Sequence, residues 1–265
     1  MPARLEISHR APAASIVRFD VAQRAQHTLM IVSFVVLALS GLPMRYSGWG
    51  ISSWWMNVWG GIDNLRAAHR YAAWVMIAVC AYHIMYVLVK RPFPTSMLPK
   101  AKDVRDFIQE LRHTFRLSKE APQFDRFSYR NKFAYWLVYA GAFVMIVTGL
   151  VLMYPIGSTE AFGGWSLPLA LIIHSDAAIL AIGWMIIVHM YFAHFSRHTF
   201  PLDKAIFTGR VPIERYRVEY PLEYARIMAA NGIRLRELED KRLPSEEEWP
   251  EEAEPVLAEV DETEE

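Results

Sequence analysis

The chain has few of the residues that build most redox centres. Its one cysteine, Cys80, sits in an apolar run. A single thiol excludes an internal disulfide, a Cys-x-x-Cys-His attachment site and an iron–sulfur ligand set within this chain. Any such centre belongs to a partner. Carboxylates are missing from the long apolar runs, apart from Asp176. That argues against a relay of Asp and Glu side chains. It also leaves zinc without the carboxylate or thiolate that would complete a four-ligand cluster. Net charge is zero, with 28 basic and 28 acidic residues, but the charge is segregated. Arg4, Arg10, Arg18 and Arg24 make the N-terminal arm basic against Glu6 and Asp20. From Glu246 the chain (EEEWPEEAEPVLAEVDETEE) is too poor in apolar surface to fold alone and reads as a disordered tail. The N-terminus does not read as a signal peptide, because the first long apolar run begins near Ala25 and continues as a full span. Nothing points to nucleic acid.

What is present is apolar length. Hydrophobic residues make up 53% of the chain. Four runs suffice to cross a bilayer, about 25–46, 67–89, 133–154 and 167–195. A soluble core would need four such helices with almost no polar face. The fold class is therefore all-α: an integral membrane four-helix bundle. The expected domains are a basic arm (1–24), the membrane domain (25–200), a C-terminal extension (201–240) and the acidic tail (241–265). Eleven Lys or Arg lie between Lys90 and Lys132, and none in the loop PIGSTEAFGGWS. The positive-inside rule then places both termini and the middle segment in the cytoplasm of a prokaryotic inner membrane. The other loops, with Trp49, Trp54, Trp55, Trp59 and Trp165, face outward as interfacial anchors. Val104, Phe107, Ile108, Leu111 and Phe115 recur at helical spacing among charges. They mark an amphipathic helix on the inner surface, with a partner-binding helix as the alternative.

Histidines carry the chemistry. His27, His69, His83, His174 and His189 lie in or at the spans, where ionisable groups are costly and usually functional. Span direction sets their depth: His69 and His174 outer, His189 inner with His27 or His83. In HRYAAWVMIAVCAYH, fourteen residues of helix rise about 21 Å between His69 and His83. His189 lies fifteen residues and about 22 Å below His174. At about 100° per residue the two pairs differ in phase by roughly −40° and +60°, so both can face one interior. His194 lies on a different face, and it and His198 read as interfacial. His9 and His113 lie outside the spans. Two imidazole pairs at two depths suit two b-type haems with bis-histidine ligation, held between facing helices.

The stretches VRFDVAQRAQHTLMIVSFVVLALSG, LRAAHRYAAWVMIAV, RNKFAYWLVYAGAFVMIVTG, LIIHSDAAILAIGWMIIVHMYFAHF and FPLDKAIFTGRVPIERYRVEYPLEY follow a known order and spacing. Over residues 17 to about 226 the chain resembles the diheme cytochrome b subunit of membrane formate dehydrogenases (the gamma subunit) and nickel–iron hydrogenases. That group has relatives that partner multihaem c-type cytochromes. The resemblance implies an outer haem on His69 and His174 and an inner haem on His27 and His189. His83 departs from the formate dehydrogenase pattern and fits the multihaem-partnered relatives better. A two-helix arrangement, as in cytochrome bc complexes, would pair it with His189 instead. The resemblance also implies a quinone site just before span three. Here that segment is FSYRNKF, with Ser128, Arg130, Asn131 and Lys132. Lys132 and Trp136 match the family, while Ser128 and Asn131 replace its Asn and Gln. Arg24, Arg70 and Arg130 sit near the expected haem levels, as partners for propionates or as markers of the interface.

The expected function is electron carriage through two b haems between an outer-face partner and the quinone pool. The partner would be an iron–sulfur or multihaem c-type cytochrome subunit, within a quinone-linked oxidoreductase complex that has its own catalytic subunit. The alternatives are a cofactor-free membrane anchor, or the same path run from quinol to an outer acceptor.

Overall fold

A computed structural model describes residues 5–6, 15–90, 95–196 and 199–230. His9, His198 and the acidic tail lie outside the described residues. Four helices are long and apolar enough to cross a membrane: α1 (Val21–Arg45), α3 (Ile62–Val89), α5 (Tyr129–Met153) and α7 (Ser166–Phe195). The first three begin a turn before their apolar runs, for local reasons. Asp20 and Gln23 form a capping box at α1, with Asp20 Oδ1 accepting from Gln23 N at 2.9 Å. Ser128 and Asn131 do the same at α5. Such boxes satisfy the orphan N–H groups of a first turn that is itself polar. α3 starts after Gly61, whose φ of 109° suits glycine. α7 is α-helical to Trp184 and then widens into π-helical turns at Met185–His189 and Tyr191–Phe195.

Short helices α2 (Gly50–Val58) and α6 (Pro155–Phe162) occupy the loops that join each long pair. Trp55 on α2 explains how α1 tolerates Pro43. A proline removes the N–H that would bond the carbonyl four residues back. That carbonyl, Leu39 O, accepts instead from Trp55 Nε1 at 2.8 Å.

α1 packs along α3, and α5 along α7, whereas α1–α7 and α3–α5 contacts are sparse. The bundle is thus two helix pairs with a cleft between them. Buried positions in the spans are mostly small or polar, including Gln26, Ser33, Ser40, Ala72, Thr148 and Ala170. Large side chains such as Ile84, Phe143 and Ile187 face outward. This is the pattern of helices packed for a lipid solvent.

The two pairs repeat one another. Arg18-Phe19 before α1 recurs as Arg126-Phe127 before α5. Ser40-Gly41-Leu42 recurs as Thr148-Gly149-Leu150, and Tyr46 as Tyr154, all at an offset of 108 residues. The repeat is also spatial. Arg18 Nη2 donates to Arg126 O at 2.9 Å, and Arg126 Nη2 donates back to Arg18 O at 3.2 Å. A reciprocal exchange of this kind is what a local two-fold axis along the bundle produces.

The N-terminal strand and the C-terminal extension share one small core at this end. Strand β2 (Ser15–Val17) pairs antiparallel with β1 (Leu5–Glu6) on one side and β3 (Arg210–Pro212) on the other. Ile16, Val211, Tyr216, Ile227 and Met228 are buried between the strands, α8 (Ala205–Thr208), α9 (Ile213–Glu219) and α10 (Pro221–Ala230). Gly209 closes the junction. Its carbonyl accepts from Arg18 N and Phe19 N, and a Cβ there would meet Phe19 O at 2.5 Å. Arg18 stacks on Tyr220 with 4.0 Å to the ring centre, and Arg126 pairs with the buried Glu223 at 3.1 Å. The amphipathic helix of the middle segment is α4 (Ala101–Thr114). Val104, Phe107, Ile108 and Leu111 lie exposed along it, with Phe115 as its C-cap. We refer to this end as the cap end.

Candidate functional site

One cavity of about 3730 Å³ runs between the helix pairs, and His27, His69, His83, His174 and His189 all line it. His69, early in α3, meets His174, early in α7, with ring centres 6.3 Å apart. His27, early in α1, meets His189, late in α7, also at 6.3 Å. The first pair lies toward the α2/α6 end and the second toward the cap.

The spacing is informative. Two imidazoles on one metal need a bond of about 2 Å each. About 1.1 Å more separates each nitrogen from its ring centre. The total is roughly 6 Å, so both pairs match bis-imidazole ligation.

The tautomers point the same way. Ser40 Oγ donates to Val36 O at 2.6 Å, so its one hydrogen is committed. It lies 2.8 Å from His69 Nδ1, which therefore carries the donated hydrogen. His69 Nε2 keeps its lone pair. Thr148 repeats the arrangement, donating to Val144 O at 2.7 Å and accepting from His174 Nδ1 at 2.9 Å. A partner on the second ring nitrogen is how proteins orient a metal-bound histidine. Beside each hydroxyl stands a glycine that lets the ring approach. A Cβ on Gly41 would come within 3.3 Å of His69 Cε1, and one on Gly149 within 3.2 Å of His174 Cε1. At the cap-end pair, His27 Nδ1 is buried and has no hydrogen-bond partner among the described residues.

The phase of the second pair is set by α7. Fifteen residues separate His174 from His189, against fourteen between His69 and His83. The π-helical turn at Met185–His189 takes up the extra residue and keeps His189 facing the cleft.

His83 is differently engaged. Its Nδ1 donates to Gln26 Oε1 at 2.8 Å, and its Nε2 accepts from Tyr135 OH at 2.8 Å. Tyr139 stacks on it at 4.7 Å. Both ring nitrogens are in use, and a metal between His83 and Tyr135 would need their ligand atoms about 4 Å apart.

The residues before span three serve as joints. Ser128 and Asn131 cap α5, with Ser128 Oγ donating to Asn131 Oδ1 at 2.8 Å. Lys132, buried, pairs with Asp103 of α4 at 2.8 Å, and Arg130 pairs with Glu110 at 3.2 Å. Arg24 donates to Phe207 O at 2.6 Å, while its Nε is buried without a partner among the described residues. Arg70 lines the cavity. Asp176 is exposed and pairs with Arg45 at 3.0 Å. His194 Nδ1 accepts from Asp203 N at 3.2 Å, tying the end of α7 to the extension.

A family model described as prokaryotic cytochrome b561 matches residues 18–209. The chain belongs to that family. It is a membrane cytochrome b of the electron-transfer type, and b-type haem is the cofactor this implies. Similar proteins include the cytochrome b556(fdo) subunit of formate dehydrogenase from Escherichia coli (strain K12). That subunit is 24% identical over 190 residues, covering 70% of this chain and 82% of the relative. The nitrate-inducible formate dehydrogenase cytochrome b556(Fdn) subunit of the same strain is 23% identical over 217 residues, covering 82% and 94%. The Shigella flexneri subunit of that name matches equally well. The spacing of the two imidazole pairs and the glycine clearances beside one of them fit the implied haem.

Reading the sequence for histidines missed Gln26, Ser40, Tyr135, Tyr139 and Thr148, and the glycines 41 and 149. The signal that finds the paired ones is the repeat at 108 residues, which aligns Ser40-Gly41 with Thr148-Gly149 and His27 with Tyr135.

Proposed function

We propose that this cytochrome b holds two b haems and carries electrons between a partner subunit and the quinone pool. His69 and His174 would ligate one haem, and His27 and His189 the other. The observation that carries the reading is the equal 6.3 Å separation of two imidazole pairs at two depths of one cleft. When bound, the haems supply one-electron carriers, with potentials set by ligands, burial and hydrogen bonds. The chain's own residues do the rest. Ser40 and Thr148 fix two imidazoles in the ligating tautomer. Gly41 and Gly149 leave room for the rings. The apolar outer faces keep the cleft in lipid and away from bulk water.

The basic middle segment supports a cytoplasmic cap end, so the partner would dock at the α2/α6 end. Its exposed Trp49, Trp54 and Trp165 are available for contact or anchoring. The relatives are subunits of formate dehydrogenases, which supports a separate catalytic subunit and an iron–sulfur partner. A cofactor-free anchor has no use for paired imidazoles with committed tautomers.

The test is a haem count. The purified chain should give about two b haems by pyridine haemochrome. His69→Ala and His27→Ala should each lose one, and His83→Ala should keep both. A folded, haem-sufficient preparation without haem would overturn the reading. Loss of a haem from His83→Ala with retention in His27→Ala would overturn the assignment.

A further inference from the structure

The two-fold repeat relates α1 to α5 and α3 to α7. His69 and His174 are each other's counterparts, and they meet across the cleft. His27 of α1 corresponds to Tyr135 of α5 at the offset of 108 residues. His189 of α7 corresponds to His83 of α3, once the widened turn has absorbed its added residue. The symmetry therefore maps the pair His27–His189 onto the pair Tyr135–His83. That second pair exists, with ring centres 5.7 Å apart. It is closed by a direct hydrogen bond of 2.8 Å, at the same depth as His27 and His189.

Three further observations surround it. Gln26, which fixes His83, is 5% exposed, and its Nε2 has no hydrogen-bond partner among the described residues. It is a donor without an acceptor, on the wall of the main cavity. Next, a cluster of proton-bearing groups lies on the cap side of His83. Tyr86 lies 6.5 Å from His83, ring to ring, and its hydroxyl donates to Asp20 Oδ2 at 2.5 Å. Lys90 pairs with Asp20 at 3.1 Å and also contacts the Tyr86 hydroxyl. All of these groups line the same cavity. Last, the polar residues at the start of α5 are tied up in helix capping and in docking α4. Gln26 Nε2 is not.

We infer that His83, Tyr135 and Gln26 form a quinone-protonating site, the counterpart of a ligand pair turned from metal binding to acid–base work. The inference rests on the quinone-linked function proposed above. Gln26 Nε2 would donate to a quinone carbonyl. As it stands, Tyr135 O–H donates to His83 Nε2. When Tyr135 O–H swings away and Nε2 takes a proton from the cap side, where Tyr86, Asp20 and Lys90 lie, the bond reverses. Nε2–H then donates to the tyrosine oxygen, and Tyr135 O–H turns to the quinone oxygen. Tyr135 gives its proton to the quinone and receives one from His83, so both end neutral. One such transfer protonates the carbonyl that faces Tyr135. The opposite carbonyl takes its proton from water, and two electrons from the donor that feeds the cytochrome complete the quinol. The polar or titratable groups that face His83 are Gln26 from α1, Tyr135 and Tyr139 from α5, and Tyr86 from its own helix, with Asp20 and Lys90 beyond Tyr86.

The experiment uses the full chain in detergent and menadione as the probe. Infrared difference spectra of bound menadione should show a carbonyl stretch lowered by hydrogen bonding, and Gln26→Leu should remove that shift. This readout does not depend on turnover. In stopped flow, the cytochrome reduced with stoichiometric dithionite should be reoxidised by menadione. Tyr135→Phe and His83→Gln should slow that step at least about tenfold, as expected for lost general acid catalysis. Both should keep the wild-type haem content and rate of reduction. Tyr135→Phe keeps the ring and its stacking, so failure to fold does not confound it. Wild-type reoxidation rates in both variants, or an unshifted carbonyl band, would overturn the inference while leaving the proposed function intact. A wild-type chain with two haems that menadione never reoxidises would instead overturn the quinone reading itself.

Discussion

Replacing Gly149 by alanine tests the cradle around His174. The new Cβ would sit 3.2 Å from His174 Cε1 and 3.7 Å from Nδ1. Carbon atoms are comfortable at about 3.5–4.0 Å. The ring must therefore retreat by roughly 0.3 to 0.8 Å. The hydrogen bond from Nδ1 to Thr148 starts at 2.9 Å, and such a retreat takes it toward the limit for a useful bond. Losing the orientation of a metal-bound imidazole typically costs 10- to 100-fold in metal affinity, or about 1.4 to 3 kcal/mol. Alanine in a helix is otherwise better than glycine by about 0.5–1 kcal/mol. Gly183→Ala, where nothing lies within 4 Å of the added Cβ, isolates that gain. The assay is haem per chain, followed over time with an excess of haem-scavenging apoprotein. Gly149→Ala should lose one haem at least about tenfold faster than wild type, and Gly183→Ala should match wild type. Equal loss rates in all three would refute the cradle argument.

Other outcomes follow from the cap and from α1. Arg126→Leu removes the counter-ion of the buried Glu223 carboxylate, which keeps its bond from Tyr216 OH, and should cost about 3 kcal/mol, read as a lower thermal midpoint of the full chain. Trp55→Phe leaves Leu39 O without its donor and should destabilise by about 1 kcal/mol, with haem content unchanged. Asp203 is partly buried, which raises its pKa. The bonds from Arg215 and Ala205 N outweigh burial and hold it below its ordinary value. A carboxylate with a lowered folded pKa adds stability that is present above the unfolded pKa and lost as pH falls through the folded one. Melting of the wild type should therefore show an acid-side loss below about pH 4 that Asp203→Asn lacks. A curve for Asp203→Asn that parallels wild type through that range would sink the assignment.

The sequence by itself determined the class of this protein and the depth of its histidines. Four apolar runs of sufficient length leave few alternatives to a membrane bundle. A histidine's depth follows from its position along a helix of fixed rise, because both are properties of one chain segment. What faces what across the cleft is a property of two segments. Helical phase from ideal geometry put His174 and His189 about 60° apart, and it could not anticipate the π-helical turn that takes up the extra residue. Depth alone left His27 and His83 as equals. Only the tertiary structure sets His27 at 6.3 Å from His189 and closes His83 onto Gln26 and Tyr135. The committed hydroxyls of Ser40 and Thr148 are likewise invisible in sequence, because a tautomer depends on where a neighbour's single hydrogen points. The repeat that unites these features was written in the chain all along. It became legible only when Arg18 and Arg126 were seen to exchange hydrogen bonds across the axis.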